Sequence, residues 1–142
     1  GDGRGNSLGT VCMKKMTLTD KGKGWACVTI KNEPFIAVTE KIVAALRWAG
    51  VLEVEAIYSK TEDCFYLIEI NPRAPAWVYL ACASGINLPN KAMRLAMGET
   101  VKKIEAYKTG VVFSNYTINL IAELSEIETL FTTGEIHYEK AV

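Results

Sequence analysis

The chain has 142 residues, one domain's worth, of which 49% are hydrophobic and 23% charged, a composition that excludes a disordered or fibrous protein. Sixteen Lys and Arg balance sixteen Asp and Glu, so no net field draws it to nucleic acid or an acidic membrane surface. The longest stretch without formal charge, residues 74–90, is broken by Pro75, Gly85, Asn87 and Pro89 and falls short of the about 20 apolar residues a membrane span needs.

In chain order, Asp2-Gly3-Arg4-Gly5-Asn6 comes first and is hairpin-turn chemistry, because Gly and Asn accept positive φ. A hairpin needs a strand on each side and only the downstream one is present, so the chain is expected to be a piece of a longer protein. Residues 8–18 read as a strand with Lys14 and Lys15 in its middle, and a polar loop with Gly22 and Gly24 follows. Residues 25–30 read as a second, β-former-rich strand. Asn32 is placed to cap a helix that has Pro34 in its first turn and carries Ile36, Ile42, Val43 and Leu46, with Gly50 closing it.

Two strand-like runs, 51–58 and 65–71, are joined by a polar linker and suit a hairpin. Pro72 and Pro75 stop the second run. Short helices are expected over 77–83 and 88–97, with Met93 and Met97 as core fillers. A strand over 111–118 and an amphipathic helix with Leu124, Ile127 and Leu130 before Gly134 complete the order β-β-α-β-β-α-α-β-α. With hairpins dominating, the expected fold is α+β: a mainly antiparallel sheet with helices packed on one face.

Side chains on a strand alternate between faces, so Glu53, Glu55 and Ile57 share one face of the first run. Glu69, Asn71 and Arg73 share one at the end of the second. Tyr66, Leu67 and Ile68 are apolar on both faces, which predicts that this strand is buried until it reaches Glu69. Antiparallel pairing would bring Glu55 opposite Glu69, with Asn71 close behind. Two carboxylates and an amide oxygen are hard ligands that suit Mg²⁺, which fills the rest of its octahedron with water and phosphate oxygens. Arg73 supplies a fork of donors for a phosphate or carboxylate. A solvated strand face and a common Asn-Pro-Arg turn are the structural alternative, but such a face would not need three oxygen ligands and an arginine in register.

The run Tyr66-Leu67-Ile68-Glu69-Ile70-Asn71-Pro72-Arg73 resembles the E-x-N-P-R segment of ATP-grasp enzymes, with biotin carboxylases and carbamoyl phosphate synthetase large subunits as relatives. The resemblance implies that Glu69 and Asn71 bind Mg²⁺ or Mn²⁺ bridging the ATP phosphates, with Glu55 as the other metal ligand. It sets Ile57 against the adenine and gives Arg73 the transferred phosphate or the acyl-phosphate intermediate. The loop through Lys23 falls where biotin carboxylases carry a phosphate-facing lysine. Pro75 and Trp77 stand where those enzymes carry Gln and the Glu that acts on bicarbonate, so that chemistry is not expected by that route. Residues 1–100 would then be the family's C-terminal subdomain with its metal and nucleotide half-site, and 101–142 a C-terminal extension of the same compact domain. The subdomain that closes over ATP is absent from the chain, which alone is expected to bind ATP weakly.

The implied activity is ATP-dependent ligation, in which a carboxylate becomes an acyl phosphate and is attacked by an amine or similar nucleophile. Expected partners are ATP, a small carboxylate or amine substrate and the family's N-terminal subdomains, with a homodimer admitted and neither nucleic acid nor membrane. Cys12, Cys27, Cys64 and Cys82 form no C-x-x-C pair and have a single His, His137, for company, so zinc and disulfides are not expected and reduced, cytoplasmic thiols are. His137 reads as a surface residue. Lys14 and Lys15 suit either phosphates or a solvated edge, and one of Trp77 and Tyr79 is expected in the core. The competing hypothesis is a non-catalytic ATP-grasp-like module that oligomerises through residues 74–90.

Overall fold

The computed structural model describes residues 1–116, 119 and 121–135. Its elements are β1 (Cys12–Leu18), β2 (Gly24–Ile30), α1 (Glu33–Leu46), β3 (Glu53–Ser59), β4 (Cys64–Asn71), α2 (Val78–Ala83), α3 (Leu88–Ala96), β5 (Val112–Ser114) and α4 (Leu124–Thr133), in the expected order. The fold is α+β and every strand pair is antiparallel. The strands form two hydrogen-bonded sheets rather than one, β1-β2-β5 and the hairpin β3-β4. β1 and β5 take the two edges of β2, β1 is irregular after Lys15, and among the described residues the hairpin pairs only with itself. Of the strand expected over 111–118, β5 covers only Val112–Ser114, and Thr117 and Ile118 lie outside the described residues, as does His137.

Asn32 caps α1 as expected, its Oδ1 accepting from the Phe35 N–H at 3.0 Å, with Pro34 in the first turn. The helix ends earlier than expected. Arg47, not Gly50, takes the left-handed position (φ 48°), and the Trp48 N–H returns to the Val43 carbonyl at 3.1 Å. Gly50 (φ 98°) instead turns the chain so that its N–H meets the Gly1 carbonyl at 3.0 Å. The opening turn is built as its residues suggest: Asp2 Oδ1 accepts the N–H groups of Arg4 (2.8 Å) and Asn6 (3.0 Å), and Gly3 and Gly5 have positive φ. It is fastened to the end of α1 by the Gly3 N–H on the Trp48 carbonyl (2.9 Å) and an Asp2–Ala49 bridge.

The core holds Cys12, Cys27, Val43, Leu80, Ala81 and Ile86. Three of these come from residues 74–90, a segment that also leaves Tyr79 exposed at 75%. Phe35 stacks on Phe65 with centroids 4.9 Å apart, which seats α1 on the hairpin. Met93 and Met97 do not fill the core: α3 packs against α2, and both methionines are exposed. Thr29, 1% exposed, ties β2 to the connection before β5, donating to the Lys108 carbonyl at 3.0 Å and accepting from the Val111 N–H at 3.0 Å. The Tyr107 hydroxyl joins β1 to β2 by accepting from the Cys12 N–H (3.1 Å) and donating to the Ile30 carbonyl (2.6 Å). Among the described residues no helix is long and apolar enough to cross a membrane.

Candidate active site

The hairpin register sets the site. Glu55 pairs directly with Glu69 and Glu53 with Asn71, as strand alternation predicts. A bulge follows, because the next pair is Ala56 with Leu67, leaving Ile68 without a partner. Beyond it Ile57 faces Tyr66. The expectation that Tyr66, Leu67 and Ile68 are buried is overturned: all three are more than half exposed, as is Ile57 at 61%. The hairpin thus turns apolar side chains outward next to its acids, while Phe65 of β4 packs against Phe35 of α1 and Tyr58 of β3.

Each carboxylate of the face has a different partner. Lys15 Nζ of β1 lies 2.5 Å from Glu55 Oε2, with side chains 29% and 21% exposed, so this lysine reaches an acid rather than solvent. Glu69 is exposed, and its Oε1 accepts from Asn71 Nδ2 at 2.7 Å. The same amide nitrogen donates to Glu53 Oε2 at 3.2 Å. Placing the NH₂ between two carboxylates is the arrangement chemistry requires, since both neighbours only accept, and neither bond uses Asn71 Oδ1. Arg73 is beyond the strand, set by a tight turn in which its N–H donates to the Asn71 carbonyl at 2.8 Å. Its guanidinium lies 3.7 Å from Glu53 Oε2 and is 59% exposed.

Glu53 is the residue that sequence reasoning left out of the site. Its side chain is 6% exposed, and Oε1 accepts from the Trp77 indole N–H at 2.5 Å. The signals were its two-residue spacing from Glu55 and an indole that needs an acceptor when buried. Lys23 is not brought to the acids by any bond of its side chain. It is exposed in the β1–β2 loop, where its backbone N–H and carbonyl both bond Thr19. Cys27 lies beneath Lys15, Glu55 and Glu53; burial pushes its thiol pKa up, with the lysine opposing and the two glutamates adding.

Among the described residues no group of three or more His, Cys, Asp and Glu converges as a metal cluster. The available set is two carboxylates and an amide oxygen, the donor chemistry Mg²⁺ takes when phosphates and water complete its shell. That acid pair already holds an ammonium on one side and an amide NH₂ on the other, so it is a place where positive charge is stabilised. A cleft of about 510 Å³ beside the first turn of α1, lined by Lys31, Pro34, Tyr58, Asp63 and Phe65 among others, does not include these residues. Its polar and charged groups are spent on one another, Lys31 on Glu33 at 2.9 Å and the Tyr58 hydroxyl on Asp63.

Residues 5–118 match the family model described as ATP-grasp in the biosynthetic pathway with Ter operon. The chain belongs to the ATP-grasp family. The match runs through the acidic hairpin and on past the Thr29 and Tyr107 fastenings to β5. This ATP-grasp chain is also similar to carbamoyl phosphate synthase large chains. It is 35% identical to that of Corynebacterium glutamicum over 68 residues, covering 47% of this chain and 6% of the relative. It is 34% identical to that of Agathobacter rectalis over 72 residues (50% and 7%). It is 31% identical to that of Thermoanaerobacter sp. strain X514 over 77 residues (54% and 7%). The ATP-grasp chain therefore spans only a small part of the length of these relatives.

Proposed function

We propose that this chain is the metal- and phosphate-holding part of an ATP-dependent carboxylate ligase in the cytoplasm, acting with further ATP-grasp subdomains. The observation that carries this reading is the register of Glu55 against Glu69, followed by Asn71 and Arg73 at the same end of the hairpin. Glu55, Glu69 and Asn71 Oδ1 would hold Mg²⁺ or Mn²⁺. That ion, when bound, supplies charge neutralisation on the ATP phosphates. Glu55 must release Lys15 and Glu69 must release the Asn71 amide as they take it up.

Arg73, largely exposed and anchored from behind by Glu53, is the group that steadies the phosphoryl being transferred. Exposed Ile57, across from Tyr66, offers the apolar surface for adenine, and Lys23 the loop ammonium for phosphate. In the reaction a substrate carboxylate oxygen attacks the γ-phosphorus, forming a P–O bond while the bond to ADP breaks. An amine then attacks the acyl carbon, phosphate leaves with the C–O bonding pair, and the amine loses a proton to solvent or base.

The test is ATP turnover by the full-length protein containing this chain. Glu69→Gln, which keeps shape and removes the charge, is expected to lower kcat by about 100-fold or more, the scale of losing a group that stabilises transition-state charge. Unchanged Mg²⁺-dependent ADP release by a folded Glu69→Gln protein contradicts the proposal.

A further inference from the structure

We propose that Glu53 is a positioning residue that orients Asn71 and Arg73 by clamping both ends of the segment on which they sit. This inference rests on the active-site reading above and adds to it a residue that touches neither metal nor nucleotide. Among the described residues the three side-chain donors that meet the Glu53 carboxylate come from the eight residues that follow Glu69: Asn71 Nδ2, Arg73 Nη1 and Trp77 Nε1.

A carboxylate 6% exposed is costly unless donors surround it, so its position and theirs are mutually determined. Trp77 is the residue at which α2 begins, and it makes no side-chain cap to that helix; its indole N–H is spent on Glu53 instead. Between the two anchor points the chain is stiffened by Pro72 and by Pro75, which is buried. Arg73 therefore stands on a short, rigid span held at Asn71 on one side and at Trp77 on the other. The carboxylate also lies behind the guanidinium, leaving its outer face free for an anion.

For Asn71 the effect is on which end of the amide is available. When Glu69 gives up the NH₂ to take a metal, Glu53 is the acceptor that still holds that nitrogen and so leaves Oδ1 as the end for the ion. Glutamine at position 53 would offer only one acceptor oxygen for donors that now use both, and would set an NH₂ against an NH₂. Partners that orient a metal ligand from outside are worth about 10–100-fold in metal affinity.

The experiment measures Mn²⁺ affinity by electron paramagnetic resonance on the full-length protein, with thermal unfolding followed in parallel. Glu53→Gln is expected to weaken Mn²⁺ binding about 10–100-fold at a temperature where the protein is folded. Trp77→Phe keeps the ring and removes only the donor, and is expected to weaken it about 2–10-fold, the value of one hydrogen bond. Glu53→Asp, which keeps the charge on a shorter stem, should recover part of the loss. A purely architectural role would lower the unfolding temperature and leave the affinity of the folded protein alone.

Parental Mn²⁺ affinity in folded Glu53→Gln, alongside loss in Glu69→Gln, overturns the inference and leaves the active-site reading standing. Parental affinity in Glu69→Gln overturns that reading and the inference with it. If Glu53→Gln does not fold, Trp77→Phe decides: parental affinity there overturns the clamp.

Discussion

The Lys15–Glu55 pair sets a competition between an ammonium and a metal for one carboxylate. Replacing Lys15 by Met removes the charge while keeping a stem of similar length. That stem runs beside Gly24, where an added Cβ would sit 3.5 Å from Lys15 Cγ. Nζ and Oε2 are 2.5 Å apart and the side chains are 29% and 21% exposed, which is neither a surface pair nor a buried one. Exposed pairs are worth about 0.2–1 kcal/mol and charge-assisted bonds out of water about 1.5–3 kcal/mol, so this pair should contribute about 1–2 kcal/mol.

A double-mutant cycle of Lys15→Met and Glu55→Gln, followed by urea unfolding in a chelator, measures that coupling. Freed of the ammonium, Glu55 should bind Mn²⁺ about 5–30-fold more tightly in Lys15→Met, the same free energy expressed as affinity. A coupling below about 0.3 kcal/mol, within the usual error of additivity, refutes the reasoning. So does an unchanged Mn²⁺ affinity.

Thr29→Val fills the same space without the hydroxyl and leaves the Val111 N–H and Lys108 carbonyl short of a partner. It should cost about 1–3 kcal/mol, or about 3–9 °C in Tm by calorimetry, with Thr29→Ser recovering most of it. The carboxyl of Asp2 is held down at about 2 by the Asn6 side chain first and then by the backbone N–H groups of Arg4 and Asn6. A carboxyl depressed on folding stabilises the fold above its unfolded value, and the gain is lost as pH falls from about 4 through about 2. Urea unfolding of Asp2→Asn should therefore show a deficit against the parent at pH 6 that closes towards pH 2.

Much of the fold was legible because local chemistry dictates it: Asn32 and Pro34 start α1, and polar residues between two β-rich runs make the hairpin. The Glu55–Glu69 register was legible too, because alternation with a period of two leaves few ways to pair an acid face. What escaped detection depends on contacts distant in sequence. Lys15 meets an acid 40 positions away, and Thr29 meets residues 79 and 82 positions away. The division into two sheets, with β5 joining β2 and the hairpin pairing with itself, is likewise set by partners distant in sequence that no local pattern announces. Tyr66, Leu67 and Ile68 read as buried because apolar runs normally are, whereas the bulge at Ile68 and the open side of the hairpin leave them outside. Glu53 went unnoticed for the opposite reason, since a glutamate at the start of a strand normally faces water, and only a tryptophan 24 residues on makes it an anchor.

Paramagnetic broadening by Mn²⁺ in the full-length protein, with a nonhydrolysable ATP analogue, tests the account most directly. Resonances of Glu55, Glu69 and Asn71 should broaden first, at substoichiometric metal, and those of Arg73 soon after. Broadening centred on Lys31, Asp63 and the cleft beside α1, with the hairpin acids left sharp, would contradict it.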